Sequence, residues 1–180
     1  MHIDRPSPNH DSRPSGAAVD MLILHYTGMA SAAAALDRMC DPDAKVSAHY
    51  LIDEDGATFR LVDEALRAWH AGLSRWRGRD DINAVSIGIE MVNPGHEIGY
   101  RAYPEAQMAA VIDLCRDITA RHPIPPRHVL GHADIAFARR ADPGECFDWR
   151  RLAQAGVGLW PEVAVRSEEH TSELQSHLNL

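Results

Sequence analysis

The chain has no apolar run near the ~20 residues that a membrane-spanning helix requires, so insertion into a bilayer is not expected. Cysteine is scarce. Cys40, Cys115 and Cys146 are odd in number, widely spaced and form no CxxC pair. That argues against a disulfide framework and against the paired-thiolate zinc motifs, and it fits free thiols in a reducing compartment. Cys146 alone lies near a candidate metal ligand, where a competing thiolate is the alternative to a plain free thiol. Basic residues are outnumbered: 18 Lys plus Arg face 26 Asp plus Glu, a formal net charge of -8. This balance speaks against a nucleic-acid partner, whose footprint is basic, and against docking on an anionic membrane. Residues 1–14 also lack the basic start and apolar centre of a signal peptide. A cytoplasmic location is expected, or a periplasmic or envelope one if the true start lies upstream.

What is present fits one globular domain. The chain has 180 residues, 45% of them hydrophobic, and at that size one core buries roughly 70% of the unfolded surface. Residues 1–19 read as an extended N-terminal arm, residues 20–163 as the domain, and residues 164–180 as a non-native, disordered tail. The tail's last part, SEEHTSELQSHLNL, resembles the product of a reading frame running through adapter DNA, so His170 and His177 are left out of the functional argument.

Met21–Leu24 is a continuous apolar run that predicts a central strand buried on both faces. Ser31–Met39 is alanine-rich and predicts a helix. Segments 47–53 and 57–62 flank the turn signal Asp53-Glu54-Asp55-Gly56 and read as a hairpin, and 67–71 as a short edge strand. Residues 84–92 read as a second strong strand. Pro104–Arg121 predicts a helix whose core face carries Met108, Val111, Ile112, Cys115 and Ile118. Residues 128–132 read as a short strand and 147–154 as a short helix. The expected fold is a single α/β domain: a central mixed sheet flanked by helices, with any site at the strand ends.

Of the 11 histidines, His2, His10, His96 and His122 lie in polar or loop contexts where a surface role is the default. His25 and His132 differ because each ends an apolar strand, although each alone is also what a satisfied structural histidine looks like. Asp142 opens the turn Asp142-Pro143-Gly144, which is equally a plain turn signal. Two histidines and a carboxylate make a usual catalytic zinc set that leaves a fourth position to water. Spacings this wide do not establish a site on their own.

Six ordered stretches add a resemblance: SPNHDSRP (7–14), LILHYTG (22–28), VSAHYLIDEDG (46–56), AWHAG (68–72), INAVSIGIEMVNPG (82–95) and GHADIAFARRADPGECFDW (131–149). Together they are similar to the type 2 N-acetylmuramoyl-L-alanine amidases, a zinc family that also includes phage amidases and peptidoglycan recognition proteins. The resemblance implies Zn2+ held by His25, His132 and Asp142, with Glu90 acting on the zinc-activated water. It implies a peptidoglycan or muropeptide substrate, cut between N-acetylmuramic acid and L-alanine during wall turnover or recycling. Many relatives carry Lys two residues before the ligand Asp; this chain has Arg140, which keeps the charge for an oxyanion but does not release a proton. Phe137 stands where relatives often have Pro. His70, Asn83 and His49 are assigned to substrate binding, with bracing, turn-capping and core packing as their respective alternatives. Trp69 reads as packing, and the SRWRGR arginines (74–79) as substrate contacts or a solvated loop. The alternatives to a muramoyl amidase are a non-catalytic peptidoglycan recognition module and a zinc peptidase that cuts within the stem peptide. A monomer is the default.

Overall fold

The computed structural model describes residues 2–161; the predicted tail and its histidines lie outside the described residues. A six-stranded mixed sheet carries the fold. In chain order its strands are β1 (Ile3–Asp4), β3 (Met21–Tyr26), β4 (Tyr50–Ile52), β5 (Thr58–Arg60), β7 (Ser86–Met91) and β8 (Val129–Gly131). In space they run β1-β5-β4-β7-β3-β8. The β4–β5 pair is the expected antiparallel hairpin, and every other pairing is parallel. Two further strands, β2 (His10–Ser12) and β6 (Leu66–Ala68), form a separate antiparallel pair. Segment 2–19 thus contributes one strand to each sheet.

The central strands behave as their composition dictates. Met21, Leu22, Ile23 and Leu24 are all fully buried, because β3 has a strand on each side and helices over both faces. On β7 the side chains alternate in chemistry. Ile87, Ile89 and Met91 face the larger core with Leu22, Leu24 and the helix α3 (Glu105–Arg121). Ser86, Gly88 and Glu90 occupy the opposite face. The helix α1 (Ala32–Cys40) packs Ala35, Leu36 and Met39 on that second face beside Leu51 and Val92. Ser31 caps α1 by accepting from the Ala34 N–H.

The remaining helices are short: α2 (Gly95–Ile98), α4 (His132–Ile135) and α5 (Trp149–Gln154). Met108, Val111, Ile112, Cys115 and Ile118 of α3 are buried as the helical spacing requires. Gln107 shares that face and donates to the carbonyls of Ile52 and Val92, tying α3 to the ends of β4 and β7. Among the described residues no helix is long and apolar enough to cross a membrane, and all three cysteines are free thiols.

The C-terminal end of α3 is fastened to the sheet by Glu64. Its carboxylate accepts from Tyr50 Oη at 2.7 Å, Arg121 Nη2 at 2.7 Å and His122 Nε2 at 2.7 Å. Burial alone would raise the Glu64 pKa, but these three donors overcome it and bring it down to about 2. An unfolded Glu titrates near ~4.3. The carboxylate therefore stabilises the fold fully above that value, and the stabilisation is lost as pH falls toward about 2. We predict that the stability advantage of wild type over Glu64→Gln, measured by urea unfolding, is largest at pH 6 and shrinks steadily below about pH 4.3. A difference independent of pH would contradict this account.

Candidate metal centre

Three side chains from three elements converge where β3 and β8 end. His25 Nδ1 lies 3.0 Å from His132 Nδ1 and 3.0 Å from Asp142 Oδ2, and His132 Nδ1 lies 3.1 Å from the same oxygen. All three residues are buried. His25 comes from β3, and His132 opens α4 directly after β8. Asp142 lies on the loop beyond α4. That loop is pinned from both sides: the Ala133 N–H donates to the Asp142 carbonyl at 2.9 Å, and the hydroxyls of Tyr100 and Tyr103 donate to the Pro143 carbonyl at 2.9 and 2.7 Å. Gly131 permits the close approach, since a Cβ there would sit 2.7 Å from Pro143 Cδ.

The donor set fits a metal ion. Donor atoms bound at about 2.0–2.1 Å in a tetrahedral shell lie roughly 3.3 Å apart, close to the observed triangle. His132 Nε2 lies 3.1 Å from the Ala71 carbonyl, which can only accept. Its N–H is used there, so its Nδ1 lone pair points into the triangle. Beside the triangle, Glu90 Oε2 is buried without a hydrogen-bond partner among the described residues, although buried carboxylate oxygens are normally satisfied. Cys146 is not part of this donor group.

The electrostatics follow from burial and crowding. Burial lowers the His25 pKa to about 4, with the His132 and Arg140 charges pushing the same way against Asp142. Burial favours a protonated Asp142, but the two imidazoles packed against its carboxylate, His132 and His25, hold it well below the usual carboxylate range. Glu90 is raised well above that range, by burial first and by the Asp142 charge second, with Arg140 opposing. His70 is pushed far down by burial and by the neighbouring histidines.

These groups open onto a cleft of about 590 Å³ whose walls include Tyr26, His70, Glu90, His132, Arg140 and Asp142. A second groove of about 640 Å³, lined by Leu73, Phe137, Arg67, Arg75 and Arg139, contains none of the three donors. Two of the three donors, His132 and Asp142, line the smaller cleft. Phe137, on the turn between His132 and Asp142, is 87% exposed.

The other sequence assignments separate. His70 reaches the cleft wall. His49 does not: it is fully buried, its Nδ1 accepts from the Gly88 N–H at 3.0 Å, and its Nε2 lies 3.2 Å from the Leu66 carbonyl. Of the two readings of His49, the geometry favours the core histidine over the substrate contact. Asn83 is buried too, and its Oδ1 accepts from the His70 and Ala71 N–H groups at 3.1 and 2.8 Å. It braces the loop that carries His70 and does not line the cleft. Arg79 of the polar loop pairs with Asp20 at 2.7 Å. Sequence reasoning assigned no role to Arg13, whose guanidinium donates to the carbonyls of Glu64, Asn83, Ala84 and Ser86. Its only signal was its place in the matched stretch 7–14. Ser86 was likewise unassigned.

Comparison with known proteins gives concordant matches. A family model described as N-acetylmuramoyl-L-alanine amidase matches residues 15–145. The chain is 41% identical over 159 residues to N-acetylmuramoyl-L-alanine amidase AmiD of Escherichia coli, a match covering 81% of this chain and 56% of AmiD. It is 34% identical over 164 residues to the 1,6-anhydro-N-acetylmuramyl-L-alanine amidase AmpD of Escherichia coli, covering 82% of this chain and 87% of AmpD. Its structure is similar to that of AmiD from E. coli in complex with the substrate anhydro-N-acetylmuramic acid-L-Ala-D-gamma-Glu-L-Lys. There the TM-score is 0.75 at 38% identity, covering 84% of this chain and 63% of that one. The chain thus spans just over half of AmiD and most of AmpD.

One glycine on β7 is required by this geometry. A Cβ on Gly88 would lie 2.4 Å from Cγ of the His70 ring. We predict that Gly88→Ala displaces His70 and destabilises the fold by about 1–3 kcal/mol, the usual cost of overpacking. Equilibrium unfolding measures it; a variant as stable as wild type would show that the ring has room to move.

Proposed function

Because this chain belongs to the N-acetylmuramoyl-L-alanine amidase family, we propose that it is a zinc hydrolase of the amide between the lactyl group of N-acetylmuramic acid and L-alanine. The proposed substrate form is the soluble anhydro-muropeptide. Support for that form comes from the names of the relatives, a 1,6-anhydro-N-acetylmuramyl-L-alanine amidase and an amidase complexed with an anhydro-muropeptide. The observation that carries the reading is the convergence of His25, His132 and Asp142 beside a buried Glu90 oxygen that has no partner among the described residues.

In this reading His25, His132 and Asp142 hold the ion. A zinc ion in such a set supplies Lewis acidity, polarising the amide carbonyl and making a water acidic near neutral pH. Glu90 Oε2 accepts a proton from the attacking water and later delivers it to the departing amine nitrogen of L-alanine. The products are the free muramoyl carboxylate and the free peptide amine. The Glu90 oxygen has no competing donor among the described residues, so it is available for both transfers. Arg140, exposed on the cleft wall, presents its guanidinium to the negative charge that develops on the carbonyl oxygen.

The decisive experiment offers the purified protein soluble anhydro-muropeptide and intact sacculi in parallel, with and without a chelator, and identifies the products by mass. Expected is chelator-sensitive release of intact stem peptide, faster from the soluble substrate. Cleavage within the stem peptide, or activity indifferent to chelation, would overturn the reading. Glu90→Gln is expected to keep zinc and lose about 10²–10⁴-fold in kcat; wild-type turnover would remove Glu90 from the proton transfers. Arg140→Ala is expected to cost about 10²–10³-fold and Arg140→Lys to recover most of it. Equal losses in both variants would exclude a role for charge alone.

A further inference from the structure

The two ring nitrogens of His25 face different partners. Nδ1 faces the donor triangle, and Nε2 lies 3.0 Å from His70 Nδ1. The other His70 nitrogen, Nε2, lies 3.1 Å from Ser86 Oγ, and that hydroxyl donates to the Ile82 carbonyl at 2.7 Å. A hydroxyl has one proton and a neutral imidazole has one N–H. The Ser86 proton is committed to Ile82, so Ser86 Oγ can only accept from His70. His70 must then carry its hydrogen on Nε2 and a lone pair on Nδ1. That lone pair accepts the Nε2–H of His25, which leaves His25 Nδ1 as a lone pair directed at the triangle.

We propose that Ser86 and His70 are positioning residues that fix the tautomer of His25, so that its Nδ1 is presented as a metal ligand. The inference rests on the metal reading given above. Three features of the fold serve it. Gly88 leaves the space that the His70 ring fills. Asn83 Oδ1 holds the backbone N–H groups of both His70 and Ala71. The Ala71 carbonyl in turn takes the Nε2–H of His132. One dipeptide, His70-Ala71, therefore orients both imidazoles, the first through a side chain and the second through a carbonyl. Partners of this kind typically change metal affinity by about 10- to 100-fold when removed.

The test combines histidine 15N NMR on the full chain, stripped of metal, with zinc dissociation constants from chelator competition. Wild type is expected to show His25 and His70 both protonated on Nε2. Ser86→Ala and His70→Leu are expected to weaken zinc binding by about 10- to 100-fold. His70→Asn is expected to restore most of it, because its Oδ1 can accept near the position of the imidazole Nδ1. A His25 protonated on Nδ1 in wild type would overturn the proposal, as would Ser86→Ala and His70→Leu proteins that fold and bind zinc like wild type. If His70→Leu fails to fold, Ser86→Ala and the wild-type tautomers still decide. A wild type that binds no zinc would instead overturn the metal reading, and the tautomer measurement would then judge the relay alone.

Discussion

The parallel register of β3 against β7 sets His25 beside Glu90 and Ile23 beside Gly88, and the site is built outward from those two pairs. Register neighbours in a sheet point to the same face. A slip of one residue would send His25 and Glu90 to opposite faces. The apolar residues on both strands prevent it, because a slip would also pull Ile87, Ile89 and Met91 out of the core beneath α3. The packing that stabilises the sheet and the alignment that assembles the site are one constraint.

Around that pair the fold concentrates buried polar groups that would be costly in isolation. Asp142 is kept ionised against burial, whereas the imidazoles of His25, His49 and His70 are kept neutral by it. Burial first and the Asp142 charge second raise the Glu90 pKa well above the usual carboxylate range. Such a cluster is stable only if its far-side nitrogens have partners, and nearly every one does. His49 serves Gly88, His70 serves Ser86 and His132 serves Ala71. The near-side atoms of the triangle face one another, and the Glu90 oxygen meets no donor among the described residues.

The scaffold behind the cluster is fastened from outside by charged side chains. Arg13, on the segment between β2 and β3, reaches carbonyls of Glu64, Asn83, Ala84 and Ser86. It thereby fixes the 3-10 turn Ile82–Val85 that leads into β7 and holds Asn83 against the loop carrying His70. Glu64 secures the far end of α3. Neither contact touches the cleft, yet both limit movement of the elements that shape it.

Much of this was legible in the sequence. Continuous apolarity identified β3, helical spacing identified the buried face of α3, and Asp53–Gly56 marked the hairpin. The ordered motifs pointed to His25, His132, Asp142 and Glu90 as one group. Other features were not legible, because they depend on what a side chain meets rather than on what it is. His49 and His70 sit in similar histidine motifs, but one is enclosed by backbone groups and the other reaches the cleft. Asn83 and Arg13 act through carbonyls and amides remote in sequence, which leave no periodic trace. The sequence by itself determined the buried strands and the core face of α3, since these follow from local apolar pattern, and its ordered motifs named the candidate donor residues through their resemblance to a known family. Only the tertiary structure decided which nitrogen of each imidazole is free, because that is set by hydrogen-bond partners that long-range folding brings within 3.1 Å.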